Sequence, residues 1–311
     1  MSAWTGQDLT APWQGARLGM ARAGDMRIAF LEQGDGPLAL CLHGFPDSPY
    51  TWRHLLPELA AAGHRAVAPF GRGYAPTSLA PEGSYQLGAL IADVEALHEE
   101  LGGGPDAVLI GHDWGASIAY GAFAHSPHRW RAAVGLAVPP GDALSSGFLE
   151  YDQLKQKFYI FLCQVPLAEL AFAAGDFALI DGLWRDWAPG LDFRDDVARV
   201  KACVRAPEHL TAVIGYYRSS FNPRSNHPAY AEQEAAASRP PVRPMLYLHG
   251  RLDNAVPAAA ANQARSFLAP DSKVVIVADA GHFLHLEQPG QVNKQILDWI
   301  GTADYAPGCV A

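Results

Sequence analysis

No stretch of the 311 residues offers the roughly 20 consecutive apolar side chains that span a bilayer, so nothing in the chain reads as a membrane anchor. Basic clusters are equally scarce. The 23 Lys and Arg stand against 32 Asp and Glu, a formal charge of −9, and without clustered cations a phosphate backbone has nothing to bind, which excludes a nucleic-acid partner. Cysteine is sparse and scattered: Cys41, Cys163, Cys203 and Cys309 form neither a Cys-x-x-Cys pair nor a dense framework, so a disulfide scaffold is excluded and buried free thiols are expected. Cys309 is third from the end, one place off the prenylation pattern. The first residues, MSAWTGQDLTAPWQ, contain no basic segment leading into an apolar run, so a cytoplasmic location is expected.

What remains is a globular, enzyme-like composition, 49% hydrophobic and 18% charged. The length suits one α/β core with an inserted subdomain. Alternating segments on either side of Gly24-Asp25 read as an antiparallel hairpin. Short apolar runs follow at 38–42 (LALCL), 65–68 (RAVA), 107–110 (AVLI) and 132–138, each too short for a helix, with helical periodicity at 51–62 and 86–101 between them. Such alternation predicts a mostly parallel, doubly wound sheet. It breaks at Pro139-Pro140 and resumes at 245–249 (MLYLH) and 273–277 (KVVIV). The intervening residues are aromatic-rich with helical spacing and end in a proline-rich connector, RPPVRP. The expected organisation is therefore a core from 1–139 and 241–311, with a helical cap inserted over 140–240.

Chemistry-bearing residues cluster at the ends of these strands. Gly111-His112-Asp113-Trp114-Gly115 lies between the strand AVLI and a helical pattern, the context of a nucleophile elbow whose central side chain stands exposed above a sheet. An ordinary turn with Asp113 as a helix N-cap is the alternative. His43-Gly44-Phe45-Pro46 follows LALCL and would aim the Phe45 N–H at the same point, with the Trp114 N–H as second donor of an oxyanion hole. Asp253 follows MLYLH, and His282 follows KVVIV, so nucleophile, acid and base come in the order Asp113, Asp253, His282. Asp279 and Asp142 are rival acids. His282 with His285, and His125 with His128, share i, i+3 spacing, but no carboxylate or thiolate completes either set, so neither a metal nor another cofactor is expected.

HGFP, GHDWG, the Asp253 loop and GHF together resemble the α/β-hydrolase-fold epoxide hydrolases over nearly the whole chain. That resemblance implies the α/β-hydrolase fold and two cap tyrosines, one shortly before a Gln-x-Pro segment and one in a Tyr-Arg pair. Tyr159 before Gln164-Val165-Pro166, and Tyr217-Arg218, fill both positions. Adjacent Tyr216 would point about 100° away on a helix. The implied reaction opens a small, largely apolar epoxide with water. A carboxylate nucleophile fits it, because its adduct is an ester that an activated water can cleave, whereas a serine would leave an ether. Two alternatives stay open. A haloalkane or haloacetate dehalogenase uses the same Asp, with Trp114, Trp184 or Trp187 suited to a halide, and a ligand receptor could keep the scaffold without turnover. The family usually has an acidic residue before Arg-Gly-Tyr and Gly after it; here the segment is Pro69-Phe70-Gly71-Arg72-Gly73-Tyr74-Ala75. A homo-oligomeric state is left open.

Overall fold

The computed structural model describes residues 12–145 and 148–302, with the side chain of Asp142 outside the described set. Eight strands form one sheet in the order β1-β2-β4-β3-β5-β6-β7-β8. The hairpin β1 (Arg17–Ala23) and β2 (Met26–Gln33) turns at Gly24, whose φ of +59° suits a residue without Cβ. β2 runs antiparallel to β4 (Arg65–Pro69), and every later pairing is parallel.

Those parallel strands are β3 (Leu38–Leu42), β5 (Val108–His112), β6 (Ala132–Leu136), β7 (Leu246–Gly250) and β8 (Lys273–Val277). β3, β5, β6 and β7 are buried at every residue, which is why they read as continuous apolar runs rather than alternating ones. Their side chains still alternate between two cores. Ala39, Cys41, Val108 and Ile110 pack with Leu55, Leu56 and Leu59 of α1 (Leu55–Ala61) and with Val292, Ile296 and Ile300 of α13 (Pro289–Thr302). Leu40, Leu42 and Leu109 face the other way, among Ile91 and Val94 of α2 (Leu87–Glu100) and Ala119 and Phe123 of α3 (Trp114–His125). The helix expected from residue 51 starts as a 3-10 turn at Pro49–Trp52 and becomes α-helical only at Leu55.

Between β6 and β7 the chain leaves the sheet for α4 (Asp142–Ser145), α5 (Tyr151–Gln156), α6 (Phe158–Leu162), α7 (Ala168–Trp187), α8 (Arg194–Val204), α9 (Pro207–Phe221) and α10 (Ala231–Ala237). α7 is two helical pieces joined by a non-helical turn at residues 174–177. α10 returns to the sheet layer and packs on α2 and α3. After β7 come α11 (Ala258–Ala264) and, beyond β8, α12 (Leu284–Glu287).

Because β3, β5, β7 and β8 are parallel, the loops after them open on one edge of the sheet, beneath the inserted helices. Cys41, Cys163 and Cys203 are buried free thiols, and Cys309 lies outside the described residues. Among the described residues no helix is long and apolar enough to cross a membrane.

Candidate active site

Asp113 sits at the junction of β5 and α3 with φ 53° and ψ −117°, a backbone conformation that an L-residue holds only under constraint from its surroundings. The constraint is visible in the flanking glycines. A Cβ on Gly111 would collide with the Gly115 carbonyl, one on Gly115 with the Leu42 carbonyl, and one on Gly44 with the Asp113 side chain itself. The sharp turn thus brings the His43-Gly44-Phe45 loop hard against the carboxylate. The Phe45 N–H donates to Asp113 Oδ1 at 2.7 Å; among the described residues the Trp114 N–H makes no bond to that carboxylate.

His282 approaches from the loop after β8, with Nε2 3.5 Å from Asp113 Oδ2. Its other nitrogen, Nδ1, donates to Asp253 Oδ2 at 2.9 Å, while Asp253 Oδ1 accepts the Ala255 and Val256 N–H groups at 2.7 and 2.9 Å. All three side chains are buried. Burial opposes a charged imidazole, yet the carboxylates of Asp253 and Asp113 outweigh it and hold His282 up at about 10. Burial works against the Asp253 carboxylate too, but the facing His282 holds it below its usual range. Of the rival acids, Asp279 is exposed and the Asp142 side chain lies outside the described residues.

The inserted helices cover this line. Tyr159 on α6 stacks near-parallel with Phe45 at 6.3 Å between ring centroids, and Tyr217 on α9 meets the same ring edge-on at 5.0 Å. The two tyrosines meet each other edge-on at 5.6 Å. Burial, reinforced by the Asp113 charge, pushes both phenols above their ordinary range, so both keep their protons at neutral pH. Tyr216 is committed elsewhere, its hydroxyl donating to the Arg72 carbonyl at 2.6 Å.

Hydrogen bonds between separate segments add to this ring packing. Gln164 Nε2 donates to the Tyr217 carbonyl at 3.0 Å, and Arg218 bonds the Cys163 carbonyl at 2.9 Å and Glu169 through both guanidinium nitrogens. The Gln-x-Pro and Tyr-Arg signatures therefore mark hydrogen bonds that join α9 to the turn after α6 and to the start of α7. At the end of α7, Trp184 Nε1 donates to the Pro46 carbonyl at 2.7 Å and its ring stacks on Phe283 at 3.7 Å. That indole N–H is not available to a halide. Trp187 packs edge-on against His282 at 5.0 Å, and its carbonyl accepts the His282 N–H.

The unusual loop at 69–75 has a definite job. The Gly71 N–H donates to His43 Nε2 at 3.0 Å, and Arg72 makes a two-nitrogen pair with Asp93 and a further bond to Glu82. A Cβ at Gly71 would stand in ordinary contact, 3.4 Å from His43 Nε2 and from the Tyr216 hydroxyl, so it is the backbone N–H that the loop uses. Phe70 is buried against Tyr50. Sequence reading missed His112, whose Nε2 lies 2.9 Å from the His282 carbonyl; nothing in the order of the chain points across 170 residues.

Comparison with known proteins gives the family. The α/β-hydrolase-fold family model matches residues 37–289. Epoxide hydrolase A of Mycobacterium tuberculosis is 30% identical, covering 88% of this chain and 94% of that protein. An AB hydrolase superfamily protein of Bacillus subtilis, YfhM, is 27% identical over the same shares. The crystal structure of an epoxide hydrolase from Vigna radiata superposes with a TM-score of 0.77 at 25% identity, covering 93% of this chain and 99% of that one.

Proposed function

The chain belongs to the α/β-hydrolase-fold epoxide hydrolase family, and on that footing we propose that it opens an oxirane to a vicinal diol through an ester on Asp113. The observation that carries this reading is the buried line Asp113, His282, Asp253, with spacings of 3.5 and 2.9 Å, under two protonated tyrosines. Asp113 Oδ1 is held by the Phe45 N–H, which leaves Oδ2 to attack. Oδ2 forms a bond to an oxirane carbon, the ring C–O bond breaks, and its electron pair goes to the departing oxygen. An alkoxide is a poor leaving group, so Tyr159 or Tyr217 supplies the proton.

The ester then changes His282. With both carboxylates charged the imidazole sits at about 10 and is protonated at neutral pH; esterification removes the Asp113 charge and one of the two supports. His282 can then shed the proton that replaces the one the tyrosine gave, and so becomes a base. Water attacks the ester carbonyl, His282 Nε2 takes its proton, and Asp253 holds the resulting imidazolium in place. The developing oxyanion on Oδ1 meets the Phe45 N–H, with the Trp114 N–H as second donor. Collapse releases the diol and restores the carboxylate. The two phenols favour an oxirane over a halide, which leaves without a proton.

One turnover in ¹⁸O-labelled water, followed by mass analysis of the peptide containing Asp113, tests the ester. Water adds to the ester carbonyl and leaves its oxygen on the enzyme, so Asp113 acquires label. A labelled diol beside an unlabelled Asp113 overturns the covalent route, and chloride release without diol formation from matched substrates moves the assignment to a dehalogenase.

A further inference from the structure

We propose that His249 is a positioning residue for the hydrolytic half of the reaction: through the Val256 carbonyl it anchors the turn whose amides hold Asp253, and so fixes the His282 imidazole that Asp253 orients. The inference rests on the assignment of ester cleavage to His282 and Asp253. Strand β7 reads LYLHG, and its two polar side chains, Tyr247 and His249, are both fully buried. Burying a polar group is costly unless it finds hydrogen bonds. Two such groups, two residues apart and on one face of an otherwise apolar strand, therefore point to a definite set of partners.

Those partners fix where the protons are. His249 Nε2 lies 3.1 Å from the Val256 carbonyl, and a carbonyl only accepts, so Nε2 carries a proton. Burial holds His249 below its ordinary range against the pull of Asp253, so the ring is neutral at neutral pH and Nδ1 is a bare lone pair. The Tyr247 hydroxyl donates to that lone pair at 2.7 Å, the Ala137 carbonyl being its more distant neighbour at 3.2 Å. Tyr247 thus sets the tautomer that lets His249 reach Val256.

Val256 is where this pair meets the site. Its N–H donates to Asp253 Oδ1 at 2.9 Å, beside that of Ala255 at 2.7 Å, while its carbonyl takes the His249 proton. One residue therefore links strand β7 to the carboxylate that holds His282 Nδ1 at 2.9 Å. His249 Nε2 also lies 3.9 Å from Asp253 Oδ2, a gap too narrow for a water. The two chemical steps use this geometry unequally. Attack on the oxirane is made by Asp113, whose position comes from its constrained turn and the Phe45 N–H. Ester cleavage needs His282 Nε2 aimed at a water, and that aim is set through the bond of Nδ1 to Asp253. Loosening the turn at Val256 slows the second step and spares the first.

The test follows ester formation and hydrolysis in the full-length protein by stopped-flow tryptophan fluorescence, with the ester itself weighed by mass spectrometry of rapidly quenched samples. In His249→Leu, which removes the donor and keeps an apolar bulk, hydrolysis should slow about 10-fold, less than the about 10²-fold cost of a full 1 Å misplacement, while ester formation keeps its wild-type rate. His249→Gln places an amide N–H near the lost Nε2–H and should restore most of the hydrolysis rate. Proton NMR adds a readout independent of turnover: the downfield resonance of the His282 Nδ1 proton on Asp253 should move in His249→Leu and return in His249→Gln. Hydrolysis at the wild-type rate in His249→Leu overturns the proposal. So does equal slowing of both phases, which would make His249 a packing residue of the strand. Should His249→Leu fail to fold, Tyr247→Phe decides, since without the hydroxyl nothing fixes the Nε2–H tautomer; hydrolysis should again slow alone, and an unchanged rate overturns the assignment. A wild type that forms no ester overturns the Asp113 reading and this inference with it, and that result is seen without any variant.

Discussion

The sheet edge and the inserted helices position their functional groups by different means. At the sheet edge, backbone does much of the work: the Phe45 amide and the forced turn fix Asp113, the two amides on Oδ1 fix Asp253, and Asp253 in turn holds the His282 ring. In the helices above, Tyr159 and Tyr217 are held chiefly by ring packing against Phe45, Trp114 and each other. Backbone-fixed groups have little freedom to shift, whereas packed rings can adapt to a different ligand. On the proposed reading, bond making and ester cleavage belong to the sheet edge, and acceptance of the substrate oxygen to the helices. Substitutions on the two sides should therefore fail in different steps.

The largest effect is expected for Asp113→Ala. Removing the nucleophile should lower diol formation by about 10⁵-fold, with no covalent intermediate detectable by intact-protein mass spectrometry. The inserted helices should be untouched and substrate binding retained. An active Asp113→Ala enzyme would give the chemistry to another group and end the comparison.

His282→Gln should separate the two steps. The ester forms and accumulates as a stable mass adduct, while steady-state turnover falls by about 10³-fold, within the range for loss of a positioned base. Normal multiple turnover in this variant contradicts the assignment. The same residue predicts a pH dependence of stability. Its folded value of about 10 lies above the ordinary 6.5, so its stabilising contribution is complete below pH 6.5 and is lost as pH rises through 10. Chemical denaturation across that window should show stability falling by a few kcal/mol, and His282→Gln should flatten the fall. An equal slope in both proteins would place the titrating group elsewhere.

How far the sequence could be read follows the same division. The central strands were visible because two-sided burial makes each a short apolar run, and the place of Asp253 just after the strand MLYLH, against the three residues that separate Asp279 from His282, put Asp253 ahead as the partner of His282. The span read as an insertion was visible as an interruption of that alternation. Other features depend on contacts between distant segments, which no local pattern encodes. The packing of α10 on α2 and α3 and the commitment of the Tyr216 hydroxyl to Arg72 are of this kind. Choosing Tyr217 over Tyr216 from sequence needed a family signature; in the structure a single hydrogen bond separates them. The departure at Phe70-Gly71 was readable as a difference, but its use of the Gly71 N–H on His43 was not.

On the helical side, Tyr159→Phe and Tyr217→Phe should each slow ester formation by about 10²-fold, the usual cost of one donor to a developing oxyanion, and leave ester hydrolysis unchanged. Stopped-flow tryptophan fluorescence separates the two phases. The double variant should lose less than the product of the single losses if both hydroxyls serve one oxygen. Losses that multiply fully would mean that they act on different atoms.

The smallest effect tests whether the helices place the tyrosines through their own hydrogen bonds. Glu169 is one-third exposed and pairs with Arg218 at 2.6 Å, so solvent screening limits the pair to about 0–1 kcal/mol of stability. Its positional role can exceed its energetic one, because Arg218 also bonds the Cys163 carbonyl and adjoins Tyr217, whose carbonyl Gln164 holds. Glu169→Gln should shift the melting temperature only slightly and slow ester formation a few-fold, with Arg218→Lys behaving alike because the two-nitrogen pairing is lost. Hydrolysis of the preformed ester depends on Asp113, His282 and Asp253, none of which touches this clamp, and should keep its wild-type rate. Equal slowing of both phases would mean that the helices also hold the sheet-edge groups in place, and the division of labour would not stand.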